Sequence, residues 1–291
     1  ITFSGPNEIT VNSFADGIDN DPATVTLREA IQHTNALQRE ADEKLAFTIV
    51  LPAGTYNLDV GGVTVDDDPE GMRAAVAHAE ADERRGDLDI ITDLTILGAG
   101  KGETVIDGAG LGDNRIFHLA RGETIDGFVT FGTLDGQGFT LVGTNTPNTG
   151  EGLLNGRDGG AILNGAFYGA GDTFGEFGLT LRDVEIRGFG AGELTATTDR
   201  IPFPAGALGG LVTVETNAPS TGGAISGNAV LRNVDLIGNS AVQGGALGGR
   251  GAFPPPDEVA LEPFAYSSAL FDIRGGSIVG NSVAERWVDR K

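Results

Sequence analysis

Between Leu179 and Val283 one pattern recurs three times, and this recurrence limits the folds open to the chain more than any other feature. It reads Leu-Thr-Leu-Arg-Asp-Val-Glu-Ile-Arg-Gly-Phe at 179–189 and Val-Leu-Arg-Asn-Val-Asp-Leu-Ile-Gly-Asn-Ser-Ala at 230–241. The third copy is Phe-Asp-Ile-Arg-Gly-Gly-Ser-Ile-Val-Gly-Asn-Ser-Val at 271–283. Each is a short alternating strand, a polar turn, a second short strand and a turn containing glycine. Gly-Gly-Ala accompanies them at 159–161, 222–224 and 244–246, the last two 22 residues apart, about one coil of stacked strands. A unit this small cannot bury an apolar face alone, so units must stack. Asn239 and Asn281 fall at equivalent turn positions, where asparagine tolerates left-handed backbone and can bond its counterpart in the next coil. The expected fold is all-β, a parallel β-solenoid.

Composition agrees. Glycine is 47 of 291 residues, more than twice the usual share of roughly 7%. No collagen period accompanies it, so the glycines are read as turn residues. The length suits one elongated solenoid or two compact domains. The repeats point to a single β-helix domain, 1–291, with an N-terminal strand and cap helix in 1–46. Solenoid coils then fill 47–291, with insertions at 66–87, 143–158, 190–221 and 250–268. Cysteine is absent, which removes disulfides and thiolate chemistry but says nothing of compartment. Net charge is −22, from 41 acidic and 19 basic residues. Such a surface repels nucleic-acid phosphates and anionic membranes, so no nucleic-acid partner and no membrane insertion are expected. It also attracts divalent cations and keeps a protein soluble in strong salt. Dedicated metal sites and adaptation to saline surroundings therefore both stand as readings. No run reaches the ~18 apolar residues of a membrane span. The chain opens at Ile1 without a basic-then-apolar leader, so a processed or truncated mature chain is expected.

Along the chain, Ile1–Phe3 reads as a short strand, 8–14 as the first full strand, and 16–22 as an acidic loop. Thr26 with Glu29 forms a capping box. Leu27, Ala30, Ile31, Thr34 and Leu37 then mark one helical face running to about Lys44. That face needs a surface, and the open end of a solenoid supplies one. Val25-Thr-Leu-Arg-Glu-Ala-Ile-Gln-His-Thr-Asn35, followed by Phe47-Thr-Ile-Val-Leu, resembles the "CSLREAI" opening of secreted right-handed parallel β-helix proteins of the pectate-lyase-like superfamily. Leu27–Ile31 matches, Asn35 stands where that family has an asparagine, and Val25 replaces its cysteine. The Gly-Gly-Ala units, Leu236-Ile-Gly-Asn239 and Ile278-Val-Gly-Asn281 resemble the GGAI and FxxN repeats of bacterial surface β-helices. The resemblance implies a right-handed single-stranded parallel β-helix with an N-terminal capping helix, secreted or held at the cell surface. Met72–Arg85 reads as a second, inserted helix.

For chemistry, Asp16, Asp19, Asn20 and Asp21 crowd oxygen ligands into six positions, and Asp66, Asp67 and Asp68 form a second acidic run. Both suit a hard cation such as Ca²⁺. Neither spacing fits an EF-hand, and a solvated turn is the plain alternative for each. His33, His78 and His118 are scattered, with structural roles expected. No lyase or polygalacturonase signature is present, so no catalytic residue is assigned. Paired carboxylates on neighbouring coils could still act as general acid and base. The proline- and aromatic-containing loop 250–268 suits carbohydrate stacking or a subunit contact. The expected function is a secreted or cell-surface structural protein, an adhesin-like stalk or fibre subunit, possible Ca²⁺ included. It would self-associate head-to-tail through Ile1–Phe3 and the C-terminal coil. Alternatives are a carbohydrate-active β-helix enzyme working beside the 190–221 and 250–268 loops, or a non-catalytic module binding an extracellular polysaccharide.

Overall fold

The computed structural model describes residues 4–18, 21, 23–59, 87–111, 115–119, 128–143, 160–164, 178–191, 224–227, 229–241, 246–248 and 271–283. The Ile1–Phe3 strand, the Met72–Arg85 helix and nearly all of the four insertions lie outside these residues.

In chain order the elements are β1 (Glu8–Thr10), α1 (Leu27–Glu40), β2 (Ala46–Val50) and β3 (Gly54–Asn57). Next come β4 (Leu88–Ile90), β5 (Asp93–Leu97), β6 (Thr104–Asp107), β7 (Phe117–Leu119), β8 (Val129–Phe131) and β9 (Thr140–Val142). They are followed by β10 (Ile162–Asn164), β11 (Leu179–Arg182), β12 (Glu185–Arg187), β13 (Gly190–Ala191), β14 (Ile225–Ser226) and β15 (Ala229–Ile237). The last are β16 (Ser240–Ala241), β17 (Leu247–Gly248), β18 (Phe271–Val279) and β19 (Ser282–Val283). The named strands pair in parallel, each with the equivalent strand one coil away. One face stacks β1, β2, β5, β8, β11, β15 and β18; a second stacks β3, β6, β9, β12 and the later halves of β15 and β18. A third stacks β4, β7, β10, β14 and β17. The all-β parallel stack expected from the repeats is the architecture of the chain.

Register turns the alternating sequence into continuous apolar columns. Ile9, Ile49, Ile96, Phe131, Leu181, Leu231 and Ile273 lie one above another. Tyr56, Ile106, Leu141, Ile186, Leu236 and Ile278 make a second column. Leu88, Phe117, Ile162, Ile225 and Leu247 make a third. Most of these side chains are fully buried, each contributing about 1.5–3 kcal/mol relative to exposure. Phe117, Phe131 and Phe139 pack with centroids 4.8 and 5.5 Å apart. The Gly-Gly-Ala units stack as expected: Ile116 N–H bonds the Ala161 carbonyl, Ala161 N–H that of Ala224, and Ala224 N–H that of Ala246. The register holds from one described strand to the next although the chain between them varies in length.

The turns differ from expectation in one respect. Asn239 and Asn281 do form the expected ladder. Asn239 donates from both its backbone N–H (2.8 Å) and Nδ2 (2.9 Å) to Asn281 Oδ1, and Asn281 Nδ2 donates to the Leu236 carbonyl at 2.7 Å. The left-handed backbone, however, belongs to the preceding glycines, Gly188, Gly238 and Gly280. Glycine adopts that region without a Cβ penalty, leaving the asparagine extended with its amide free to bridge coils. The polar turn inside each repeat is a second left-handed corner, at Asp183 (φ 55°), Asn233 (φ 54°) and Gly275 (φ 71°). Asn233 Nδ2 donates to Asp183 Oδ1 at 2.8 Å.

Helix α1 occupies a strand's place. Every later coil enters through the third face and then passes to the first: β4 to β5, β7 to β8, β10 to β11. The first coil enters through α1 and passes to β2. Its capping box is present in full, with Glu29 N–H donating to Thr26 Oγ1 and Thr26 N–H to Glu29 Oε2. Leu27, Ala30, Ile31 and Thr34 are buried, and the helix packs on β2 and β4. On the bare edge of β4, Asn35 Nδ2 donates to the Asp89 carbonyl at 2.8 Å while Ile91 N–H donates to Asn35 Oδ1 at 3.2 Å. One side-chain amide thus supplies the donor and acceptor that a neighbouring strand would have supplied. The helix ends at Glu40, short of Lys44. There Ala41 N–H bonds the Gln38 carbonyl, and the Gln38 amide takes Leu45 N–H and donates to the Glu43 carbonyl, turning the chain into β2.

Candidate functional site

Asp89 and His118 are the middle residues of β4 and β7, each flanked by inward apolar residues, and the parallel register sets them opposite one another. The strands are short and held at both ends: Leu88 N–H bonds the Ile116 carbonyl, and Asn35 holds the far edge of β4. His118 Nδ1 lies 2.9 Å from Asp89 Oδ1. Asp87, just ahead of β4, brings its carboxylate beside this pair, and Arg115, just ahead of β7, faces Asp87 with Nε 3.3 Å from Oδ2. Among the described residues this is the group of three ligand-type side chains within reach of one ion, their ligating atoms all within 4.8 Å of one another.

Asp89 is buried, while Asp87 and His118 are partly exposed. Burial pushes the Asp89 carboxyl up to about 6. The charge of Asp87 pushes the same way, and the hydrogen bond and charge of His118 and the Arg115 guanidinium oppose it. Burial disfavours the ionised form because the interior solvates charge poorly. A buried carboxyl beside an imidazole can share a proton or a cation with it.

The residues expected to bind metal are placed differently. Asp16 is wholly buried, and both its oxygens are taken. Oδ1 accepts from Arg28 Nε at 2.8 Å and from Gly17 N–H at 2.9 Å, while Oδ2 accepts from Arg28 Nη2 at 2.9 Å and from Asp59 N–H at 3.2 Å. A guanidinium neutralises it, and the pair anchors the start of α1. Asp21 forms a turn, its Oδ1 accepting from Ala23 N–H at 2.9 Å. Asp19, Asn20, Asp66, Asp67 and Asp68 lie outside the described residues. Of the histidines, His33 sits on α1 with its basicity lowered by burial, and His78 lies outside the described residues.

A second polar cluster straps coils together. Lys101, in the turn between β5 and β6, reaches Asp235 Oδ2 at 2.7 Å, the Asn233 carbonyl at 2.7 Å and Asp183 Oδ1 at 3.5 Å. Ser277 Oγ donates to the other oxygen of Asp235.

Sequence reasoning missed the Asp87–Asp89–His118 group. Its signal was present in the matching triplets Leu-Asp-Ile and Phe-His-Leu, each with one polar residue at the outward position of a buried strand. Among the described residues no helix is long and apolar enough to cross a membrane. Comparison with family models, with curated proteins and with solved structures finds no significant match to this chain.

Proposed function

We propose that the chain is a secreted or cell-surface structural module, a right-handed single-stranded β-helix serving as a stalk or fibre subunit. The observation that carries this reading is the unlikeness of its two ends. At the first, α1 and Asn35 cover the edge of β4, and Ser4 and Gly5 fold back on β1 through a bond from Ser4 N–H to the Glu8 carbonyl. At the other, the last coil leaves Ile273, Ile278 and Val279 of β18 at 42, 52 and 57% exposure. Among the described residues one end of the stack is covered and β18 at the other carries exposed apolar side chains, which suits docking in one direction, as in a stalk. In this reading the free edge of β18 receives an extended strand, such as Ile1–Phe3 of a second copy, by backbone pairing. In this reading Asp19, Asn20, Asp21 and Asp66–Asp68 supply the ligands for Ca²⁺ that stabilises the assembly.

Electron microscopy of the purified chain, with calcium and then with chelator, tests this. Filaments or end-to-end oligomers that shorten when Pro replaces Ile278 on the β18 edge support it. Uniform short rods under both conditions overturn the assembly.

A second reading, a carbohydrate-active β-helix, is favoured by one observation: two carboxyl groups, Asp87 and Asp89, meet beside an imidazole, and burial raises the Asp89 carboxyl above its ordinary range, as in a general acid–base pair. It predicts depolymerisation of a polysaccharide, lost in Asp89→Asn. Saturable polysaccharide binding without turnover would instead identify a glycan-binding module.

A further inference from the structure

We propose that Asp87, Asp89 and His118 form a binding site for a divalent transition-metal ion of the zinc class, distinct from the calcium expected at the acidic loops. The inference is independent of the stalk reading.

The argument begins with distances. Zinc-class ions bind imidazole nitrogen and carboxylate oxygen at about 2.0–2.2 Å, which places neighbouring ligand atoms roughly 2.9–3.5 Å apart. His118 Nδ1 and Asp89 Oδ1 already stand 2.9 Å apart. The third ligand atom, from Asp87, lies within 4.8 Å of both, so a side-chain rotation that moves it by roughly 1.3 Å brings it within ligand spacing. Asp89 and His118 are fixed by the register of β4 and β7, so two of the three ligands do not depend on a loop.

Ligand chemistry then selects the ion. Calcium and magnesium take oxygen ligands, whereas one imidazole with two carboxylates suits zinc, manganese, iron or cobalt. Three protein ligands leave a coordination position for water, as open sites do. The surroundings supply the outer contacts such sites use. Arg115 is buried and meets one oxygen of Asp87, orienting that carboxylate. Asn35 holds the backbone of Asp89. The two carboxyl groups outnumber the one guanidinium, so a dication meets an excess of acidic ligands there. The structural alternative is an Asp89–His118 hydrogen bond beside an Asp87–Arg115 ion pair, and stoichiometric metal binding separates the two readings.

The test uses the full chain, stripped with chelator and titrated with Co²⁺ and then Zn²⁺. The expected result is one equivalent of Co²⁺ with visible ligand-field bands, displaced by one equivalent of Zn²⁺ and untouched by a large excess of Ca²⁺. His118→Gln and Asp89→Asn should each weaken Zn²⁺ binding at least about tenfold, the effect that even outer-shell partners reach. X-ray absorption on the cobalt form should report one imidazole nitrogen. His118→Gln guards against misfolding, because its amide can keep a hydrogen bond to Asp89 and should leave the circular dichroism spectrum and unfolding midpoint of the stripped protein in place while weakening binding. Asp87→Asn also removes the carboxylate that meets buried Arg115, so its binding loss is read beside its own unfolding curve. Binding that Ca²⁺ abolishes, that is unchanged in both His118→Gln and Asp87→Asn, or that never saturates near one equivalent overturns the proposal and leaves only diffuse attraction to the −22 surface.

Discussion

The α1 end and the β18 end of the stack solve the same problem with different chemistry. A coil at either end has strand edges and an apolar face with no neighbour, and both are hazards. At the α1 end a helix stands in the slot of a missing strand, Asn35 imitates the backbone of that strand, and a fully buried Arg28–Asp16 pair locks the helix to the chain around Asp59. At the β18 end the same column that buries Ile96 completely leaves Ile273 exposed. One end is therefore finished by polar side chains used as surrogate backbone, and the other repeats the coil pattern to its last strand. The lesson is that ending a solenoid requires specific hydrogen-bonding residues, whereas continuing it requires only the alternation.

The largest expected effect lies in Arg28. Removing one partner of a buried ion pair strands the other charge and typically costs about 3–5 kcal/mol. Arg28→Met should lower the unfolding free energy by that much, and Asp16→Leu added to it should recover a large part. Denaturant titration reads the loss, and hydrogen exchange should place the early opening at α1. A loss under about 1 kcal/mol would mean that the helix is held by its apolar face alone.

Asn35→Leu comes next. It keeps the volume but leaves the Asp89 carbonyl and the Ile91 N–H without the amide, and a buried unsatisfied group costs about 1–3 kcal/mol. The amide of Ile91 should exchange much faster, while those of β15 stay protected. Equal loss of protection throughout would show that the end does not open separately from the stack.

How much of this was legible in the sequence depends on the range of the interaction. The repeats at 179–283 and the Thr26–Glu29 box carry local signals, because each is decided by residues within one strand or one helical turn, and both read correctly. The Asn239–Asn281 ladder was legible because the repeat itself aligns the two residues, though the left-handed position falls on Gly238 and Gly280, whose lack of Cβ made them the better candidates. Arg28 was hidden. Hydrophobic periodicity marks inward positions only by apolar residues, so an arginine buried by an aspartate twelve positions earlier leaves no trace in it. The approach of Asp89 to His118 was legible only in part: Leu-Asp-Ile and Phe-His-Leu mark each as a lone polar residue in an apolar strand, but their pairing depends on the register between two coils separated by chain of irregular length.

A smaller effect tests the strap between the two halves. Lys101 reaches from the second coil to Asp183 and Asp235 two and three coils on. Burial alone would raise the Asp235 carboxyl, but the bonds from Lys101 and Ser277 and the Lys101 charge outweigh it and hold the group below the ordinary carboxylate range. A carboxylate with a depressed folded value stabilises the fold fully above its unfolded value, about 3.9, and loses that contribution as the pH falls through the lower folded value. Lys101→Met should therefore cost under about 1 kcal/mol, as partly exposed pairs do. The cost should be the same from pH 7 to pH 5 and should fade only below about pH 3.9. A cost that disappears by pH 5 would show that Asp235 is not the partner that matters.

The smallest effect compares one column with itself. Ile96 and Ile273 occupy equivalent positions on β5 and β18, so they share chemistry and strand geometry and differ in what lies beyond them. Ile96→Ala should cost about 2–5 kcal/mol, the transfer term plus the cavity left behind. Ile273→Ala should stay within about 0.5 kcal/mol, because its side chain gives up little buried area. If a further coil or a second copy is added and docks on β18, the cost of Ile273→Ala should climb toward that of Ile96→Ala, and the difference between the two substitutions becomes a measure of docking. An Ile273 cost matching Ile96 in the chain alone would mean that the β18 face is already covered, and the two ends of the stack would then be closed alike.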